Sequence, residues 1–100
     1  MSVLVAGTFR IPPESLEALR PHLETVIAET RKEDGCLIYS YALDLEDPGL
    51  VRVFEQWRDQ AALDAHFKSP HMAAWRAARD AHGFRERRIQ AFEVSSERES

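Results

Sequence analysis

Leu50-Val51-Arg52-Val53-Phe54-Glu55-Gln56-Trp57-Arg58-Asp59 runs directly into Gln60-Ala61-Ala62-Leu63-Asp64-Ala65-His66-Phe67-Lys68-Ser69-Pro70-His71. The first part reads as a strand over Leu50–Trp57, with Val53, Glu55 and Trp57 on one face. Asp59 then caps a short helix through Phe67, and His66 lies between Leu63 and Phe67 on its apolar stripe. A carboxylate and an imidazole on two inward faces are expensive to bury, so the pattern points to a lined cavity rather than a solid core. Ser69-Pro70 restarts the chain with serine at a cap and proline at the first helical position. Met72, Trp75, Ala78 and Arg79 follow at helical spacing, and Gly83 ends that helix.

Upstream, Val3 to Ile11 reads as a first strand, stopped by Pro12-Pro13, which also open a helix. Leu16, Leu19, Leu23, Val26 and Ile27 form one stripe running to about Glu33. Pro21 removes a backbone bond in mid-helix and predicts a kink or a break. Cys36 to Leu45 is a second strand, rich in β-formers. Glu46-Asp47-Pro48-Gly49 is a turn. If those four residues are the whole loop, Leu45 faces Leu50. Ser40 then lies opposite Glu55 and Ala42 opposite Val53, while Tyr41 and Tyr39 fall on the other face opposite Phe54 and Gln56. Ile89 to Val94 is the last strand, and the polar residues 96–100 form a tail.

The order strand, helix, strand, strand, helix, strand is the split β-α-β pattern of an α+β, ferredoxin-like domain. One hundred residues with 44% apolar content fit one such domain, over residues 1–95. Two helices cover one face of a four-stranded sheet. The other face, expected to carry Tyr39, Tyr41 and Phe54, needs a second cover, and a second copy of the chain is the simplest supplier.

The formal charge of −4 gives no nucleic-acid footprint; the basic residues are scattered apart from Arg85-Glu86-Arg87-Arg88, a solvated strand entry. The single cysteine, Cys36, excludes an internal disulfide and fits a reducing compartment. The N-terminus lacks a basic region before its apolar run, and no run approaches the ~20 residues of a membrane span. The expected location is cytoplasmic. His66 and His71 stand five apart across a helix start, unlike the i, i+4 pairing of a zinc helix, and the glycines are isolated; the reading assigns no metal and no cofactor.

Asp34-Gly35-Cys36-Leu37 with Tyr39, Asp47-Pro48, Glu55-Gln56-Trp57 and above all Ala65-His66-Phe67-Lys68-Ser69-Pro70-His71-Met72 resemble the antibiotic biosynthesis monooxygenase domain family, in its branch of small bacterial quinol monooxygenases. The resemblance runs from Val3 to about Val94. It implies a dimeric α+β barrel in which two ferredoxin-like subunits meet sheet to sheet, each with a pocket between sheet and helices. It also implies oxygenation of quinol- or anthrone-like aromatics by molecular oxygen without metal or flavin. Other members degrade haem or isomerise small phosphorylated signals, so the fold does not fix the reaction.

Such chemistry needs a protein that takes one proton from the substrate, holds a flat ring and excludes water. Glu55 and His66 are the candidate acid–base pair, Glu55 because burial raises a carboxyl pKa and His66 because imidazole titrates near neutrality. Trp57, Phe67, Met72 and Trp75 are candidate apolar walls, with Tyr39 as a hydroxyl donor and His71 as a pocket-lining group. Structural alternatives stand beside each. Glu55 could pair with Arg58 or Arg88, and His66 could hold the Ser69-Pro70 turn. His71 could serve the helix cap, Met72 and Trp75 could be plain core, and Tyr39 and Tyr41 could pack between subunits. The alternative functions are a dimeric binding module for a small apolar or redox-active molecule, or an isomerase using the same pair.

Overall fold

The chain, described throughout from Met1 to Ser100 by a computed structural model, folds as β1 (Ser2–Arg10), a 3-10 turn (Pro13–Ser15), α1 (Leu16–Thr30), β2 (Cys36–Leu43), β3 (Leu50–Trp57), α2 (Gln60–Phe67), α3 (Pro70–Asp80) and β4 (Arg85–Val94). The strands form one antiparallel sheet in the order β2-β3-β1-β4. This is the ferredoxin-like α+β arrangement, with the helices on one face. Local chemistry accounts for the helix starts. Asp59 Oδ1 accepts the Ala62 N–H at 2.9 Å, and Ser69 Oγ accepts the Met72 N–H at 3.3 Å. Pro70 occupies a position whose N–H would have no helical partner. Pro21 does not break α1, which is continuous from Leu16 to Thr30. The carbonyl that loses its helical donor is that of Glu17, and both residues are exposed, so water can satisfy it.

The β2–β3 pairing differs from the sequence expectation by one residue. Tyr39 lies opposite Glu55, Tyr41 opposite Val53 and Leu43 opposite Val51. The hairpin is closed by Asp44 N–H donating to the Leu50 carbonyl at 3.0 Å, so Leu45 joins the loop and is fully exposed. A five-residue loop replaces the four-residue one, and a slip of one residue turns every side chain to the opposite face. Tyr39 and Tyr41 therefore point at the helices. They do not belong to the outer face or to an interface across it. A second irregularity, between Cys36 and Ile38, brings Cys36 opposite Trp57.

β4 begins at Arg85, four residues before the expected start at Ile89. Its residues are mostly exposed, so apolar alternation is too weak there to mark the strand. A bulge lies in the β1–β4 pairing between Thr8 and Arg10, where Glu86 adopts a φ of 54°.

The core forms two clusters on the helix side of the sheet. Phe9, Leu19, Val26, Val53, Met72 and Trp75 belong to one. Val3, Val5, Tyr39, Trp57, Ala62 and Leu63 form the other. Glu55 lies on β3 between Val53 of the first and Trp57 of the second. The opposite face of the sheet leaves Ile38, Phe54 and Phe92 exposed.

Gly7 on β1 leaves no room for a side chain against β4. A Cβ there would stand 2.0 Å from the Arg88 carbonyl oxygen and 2.6 Å from the Ile89 Cα. Neither is a flexible side-chain end, so β4 would have to move. Gly7→Ala is expected to cost at least about 2 kcal/mol in urea unfolding; a loss within about 0.5 kcal/mol would show that β4 yields freely.

Candidate functional site

Glu55 is buried at 6% exposure on the face that the helices cover. The alternation of β3 places it there, and no arginine pairs with it. Arg58 is engaged by Asp34 at 3.1 and 3.2 Å and by Asp59 at 3.3 Å. Glu55 Oε1 instead accepts the Trp57 indole N–H at 3.0 Å. Burial pushes the Glu55 carboxyl up to about 7, with the Trp57 hydrogen bond and the charge of Arg87 acting in the opposite direction. A carboxyl poised there can accept or release a proton near neutrality.

His66 is 1% exposed, in the last turn of α2. Its ring lies 4.7 Å from the Trp57 ring and 5.3 Å from that of Tyr39, centroid to centroid. Burial lowers its pKa and the bond to Glu33 opposes that shift, which favours a neutral imidazole. The expected hollow between Glu55 and His66 is not there. The Trp57 indole occupies that space, hydrogen-bonding one group with its N–H and stacking its ring against the other. The two groups share a neighbour, not a cavity.

His66 Nδ1 is 2.7 Å from Glu33 Oε2, and His71 Nε2 is 2.8 Å from the same oxygen. The sequence reading missed Glu33, which follows α1 by three residues. Its one sequence signal is a carboxylate just beyond a helix C-terminus, where the helix dipole favours cations. Glu33, His66 and His71 are also the side chains best placed to hold a metal ion, with donor atoms spread over 4.8 Å. An ion with bonds of ~2.0–2.2 Å would draw each pair of donors to roughly 3.5 Å or less. The two imidazoles would have to close by about 1 Å to chelate it. The observed spacing is that of one carboxylate oxygen between two ring nitrogens.

The other candidate residues divide. Trp57, Tyr39, Met72 and Trp75 are buried in the two clusters, while Phe67 is exposed with its ring 5.8 Å from that of His66. The Tyr39 and Tyr41 hydroxyls are 2.8 Å apart. Burial pushes Tyr39 far above the usual phenol range and Tyr41 up to about 12, so both remain protonated donors. Beside Tyr41, Trp75 Nε1 and Arg79 Nε are buried without hydrogen-bond partners.

A cleft of ≈ 180 Å³ opens between α1 and the sheet, lined mainly by Leu16, Leu23, Ile27, Tyr41, Leu43 and Val51. Glu55, Trp57 and His66 do not line it. Its volume is comparable to the ~150 Å³ cavity that takes up benzene in another protein. It has room for about one aromatic ring, and the remainder of a larger ligand would lie in its open mouth. Tyr41 joins this cleft to the interior through Tyr39, which packs against Trp57 and His66.

Residues 2–78 match the family model for antibiotic biosynthesis monooxygenase, and the chain belongs to that family. It is 40% identical over 75 residues to "Putative monooxygenase Rv0793" of Mycobacterium tuberculosis, a match covering 75% of this chain and 73% of that protein. The solved structure of Rv0793 superposes with a TM-score of 0.84, covering 97% of this chain and 98% of the other at 33% identity. A solved Deinococcus radiodurans protein carrying the same family name gives a TM-score of 0.89 at 27% identity, over 100% and 98% of the two chains. An uncharacterised Synechocystis protein, sll1783, is 36% identical over 69% of this chain, and the chain spans only 47% of its length. No helix is long and apolar enough to cross a membrane.

The raised pKa of Glu55 has a definite sign. The native state holds this proton more tightly than the unfolded chain, whose carboxyl titrates near 4.5. Its contribution is fully present below that value and is lost as pH rises toward about 7. Glu55→Gln keeps an oxygen for the Trp57 N–H and carries no charge. It should match wild type near pH 4.5 and exceed it by about 3 kcal/mol above pH 8 in denaturant unfolding. An equal difference at both pH values would mean that Glu55 is not desolvated.

Proposed function

We propose that the chain is a cofactor-independent monooxygenase acting on a quinol- or anthrone-like aromatic with molecular oxygen, as a homodimer. The observation that carries this is Glu55, a buried carboxyl poised near neutrality that forms no salt bridge, one indole away from His66. A purely structural carboxylate gains nothing from such a place. The family assignment and the monooxygenase name of the Mycobacterium relative support the same reaction class.

In this reading the ring enters the cleft beside Tyr41, whose hydroxyl can donate to a substrate oxygen. Glu55 and His66, set back from the cleft behind the Tyr41–Tyr39 hydroxyl pair, take up the proton passed inward as the aromatic becomes an electron-rich anion. Leu16, Leu23, Ile27 and Val51 limit water around it. The anion then reduces oxygen directly. For an anthrone, the ring CH₂ becomes C=O with one oxygen atom, the other leaves as water, and the substrate supplies all four electrons.

The exposed Ile38, Phe54 and Phe92 on the outer sheet face support the dimer, since large apolar groups on one face are what a sheet-to-sheet contact buries. Phe54→Glu is expected to halve the sedimenting mass. A wild-type chain that sediments as a monomer at tens of micromolar removes the dimer from this reading.

The decisive assay is oxygen uptake with reduced menadiol or an anthrone. Glu55→Ala and His66→Ala should each lower kcat by roughly 10²-fold or more. A wild-type rate equal to buffer across several aromatics would sink the enzymatic reading. Aromatic binding that persists without turnover would then favour the binding module, which the separation of the cleft from Glu55 also suits.

A further inference from the structure

Glu33 Oε2 stands between two ring nitrogens, 2.7 Å from His66 Nδ1 and 2.8 Å from His71 Nε2. A carboxylate oxygen only accepts, so each of those nitrogens must carry a hydrogen. For neutral His66 this fixes the tautomer: Nδ1 holds the proton and Nε2 keeps a free lone pair. We propose that Glu33 is the positioning residue of the site, holding His66 in the Nδ1–H form so that Nε2 is the nitrogen that takes the substrate's proton. The inference rests on the acid–base role given to His66 above.

The surrounding structure holds this arrangement. Glu33 is pinned by its own backbone, its N–H donating to the Thr30 carbonyl at 3.0 Å and its carbonyl accepting from Cys36 N–H at 3.2 Å. His66 is pinned by Ser69, whose hydroxyl donates to the His66 carbonyl at 2.8 Å while capping α3. That turn and Pro70 bring the His71 ring back to 6.1 Å from the His66 ring. The three side chains come from the turn after α1, the end of α2 and the start of α3.

His71 adds a second consequence. Its side chain is 18% exposed and that of Glu33 17%, against 1% for His66. Glu33 and His71 thus connect a buried imidazole to water. A proton taken at His66 Nε2 makes an imidazolium, whose positive charge the Glu33 carboxylate balances across Nδ1–H. The Nε2 proton then leaves with the oxygen atom released as water, which restores His66 with its Nδ1–H in place and a free Nε2.

Long-range ¹H–¹⁵N correlation spectra of histidine-labelled full-length protein test the tautomer directly. Wild-type His66 is expected in the Nδ1–H form, opposite to the Nε2–H form that free neutral histidine favours. Glu33→Ala should release it toward that free form and lower kcat for oxygen uptake about tenfold with little change in KM. Glu33→Gln, whose amide oxygen can still accept one N–H, should recover part of both. A wild-type His66 in the Nε2–H form overturns the proposal from one spectrum, whether or not any variant folds. An unchanged tautomer in folded Glu33→Ala overturns it as well. Absence of oxygen uptake by wild type would sink the oxygenase reading alone, because the tautomer is read without turnover.

Discussion

The Trp57 indole is the joint on which this fold turns. It is completely buried, donates its N–H to Glu55 and lays its ring against His66. Without that donor, Glu55 would be a buried carboxyl with no hydrogen bond in the chain, a costly state for the fold. Without the ring, His66 would lose the flat partner that excludes water from its side. One residue therefore makes two ionisable groups tolerable in an apolar layer and holds them at a fixed separation.

This joint sits where the two core clusters part. Oily side chains could have closed that seam, and an apolar residue in place of Glu55 would remove the desolvation cost. Above about pH 7 the buried carboxylate weakens the native state. A fold that carries such a cost in its interior gains from it elsewhere, and proton exchange near neutrality is the chemistry a carboxyl so placed can perform.

Two further hydrogen-bonded sets adjoin Trp57. One is the Tyr41–Tyr39 hydroxyl pair, which begins at the α1 cleft. The other is the His66–Glu33–His71 group, which ends at the surface. Aromatic contacts connect them: Tyr39 touches both Trp57 and His66. An aromatic guest in the cleft and water at His71 would thus meet the same interior from opposite ends.

The amino-acid sequence determined the order of elements, the caps at Asp59 and Ser69, and the inward faces of Glu55 and His66. Each follows from residues within a turn or two of one another, where spacing and hydrogen-bonding chemistry act locally. Tertiary structure alone decided the rest. The hairpin closed one residue earlier than its turn chemistry suggested, and that slip carried Tyr39 and Tyr41 from the outer face into the core. Glu33 reached His66 and His71 across more than thirty residues, and no local pattern separates a carboxylate that will do so from one that faces water. Whether two inward polar groups enclose a void or clasp a common neighbour depends on how the Trp57 indole packs once the helices settle on the sheet.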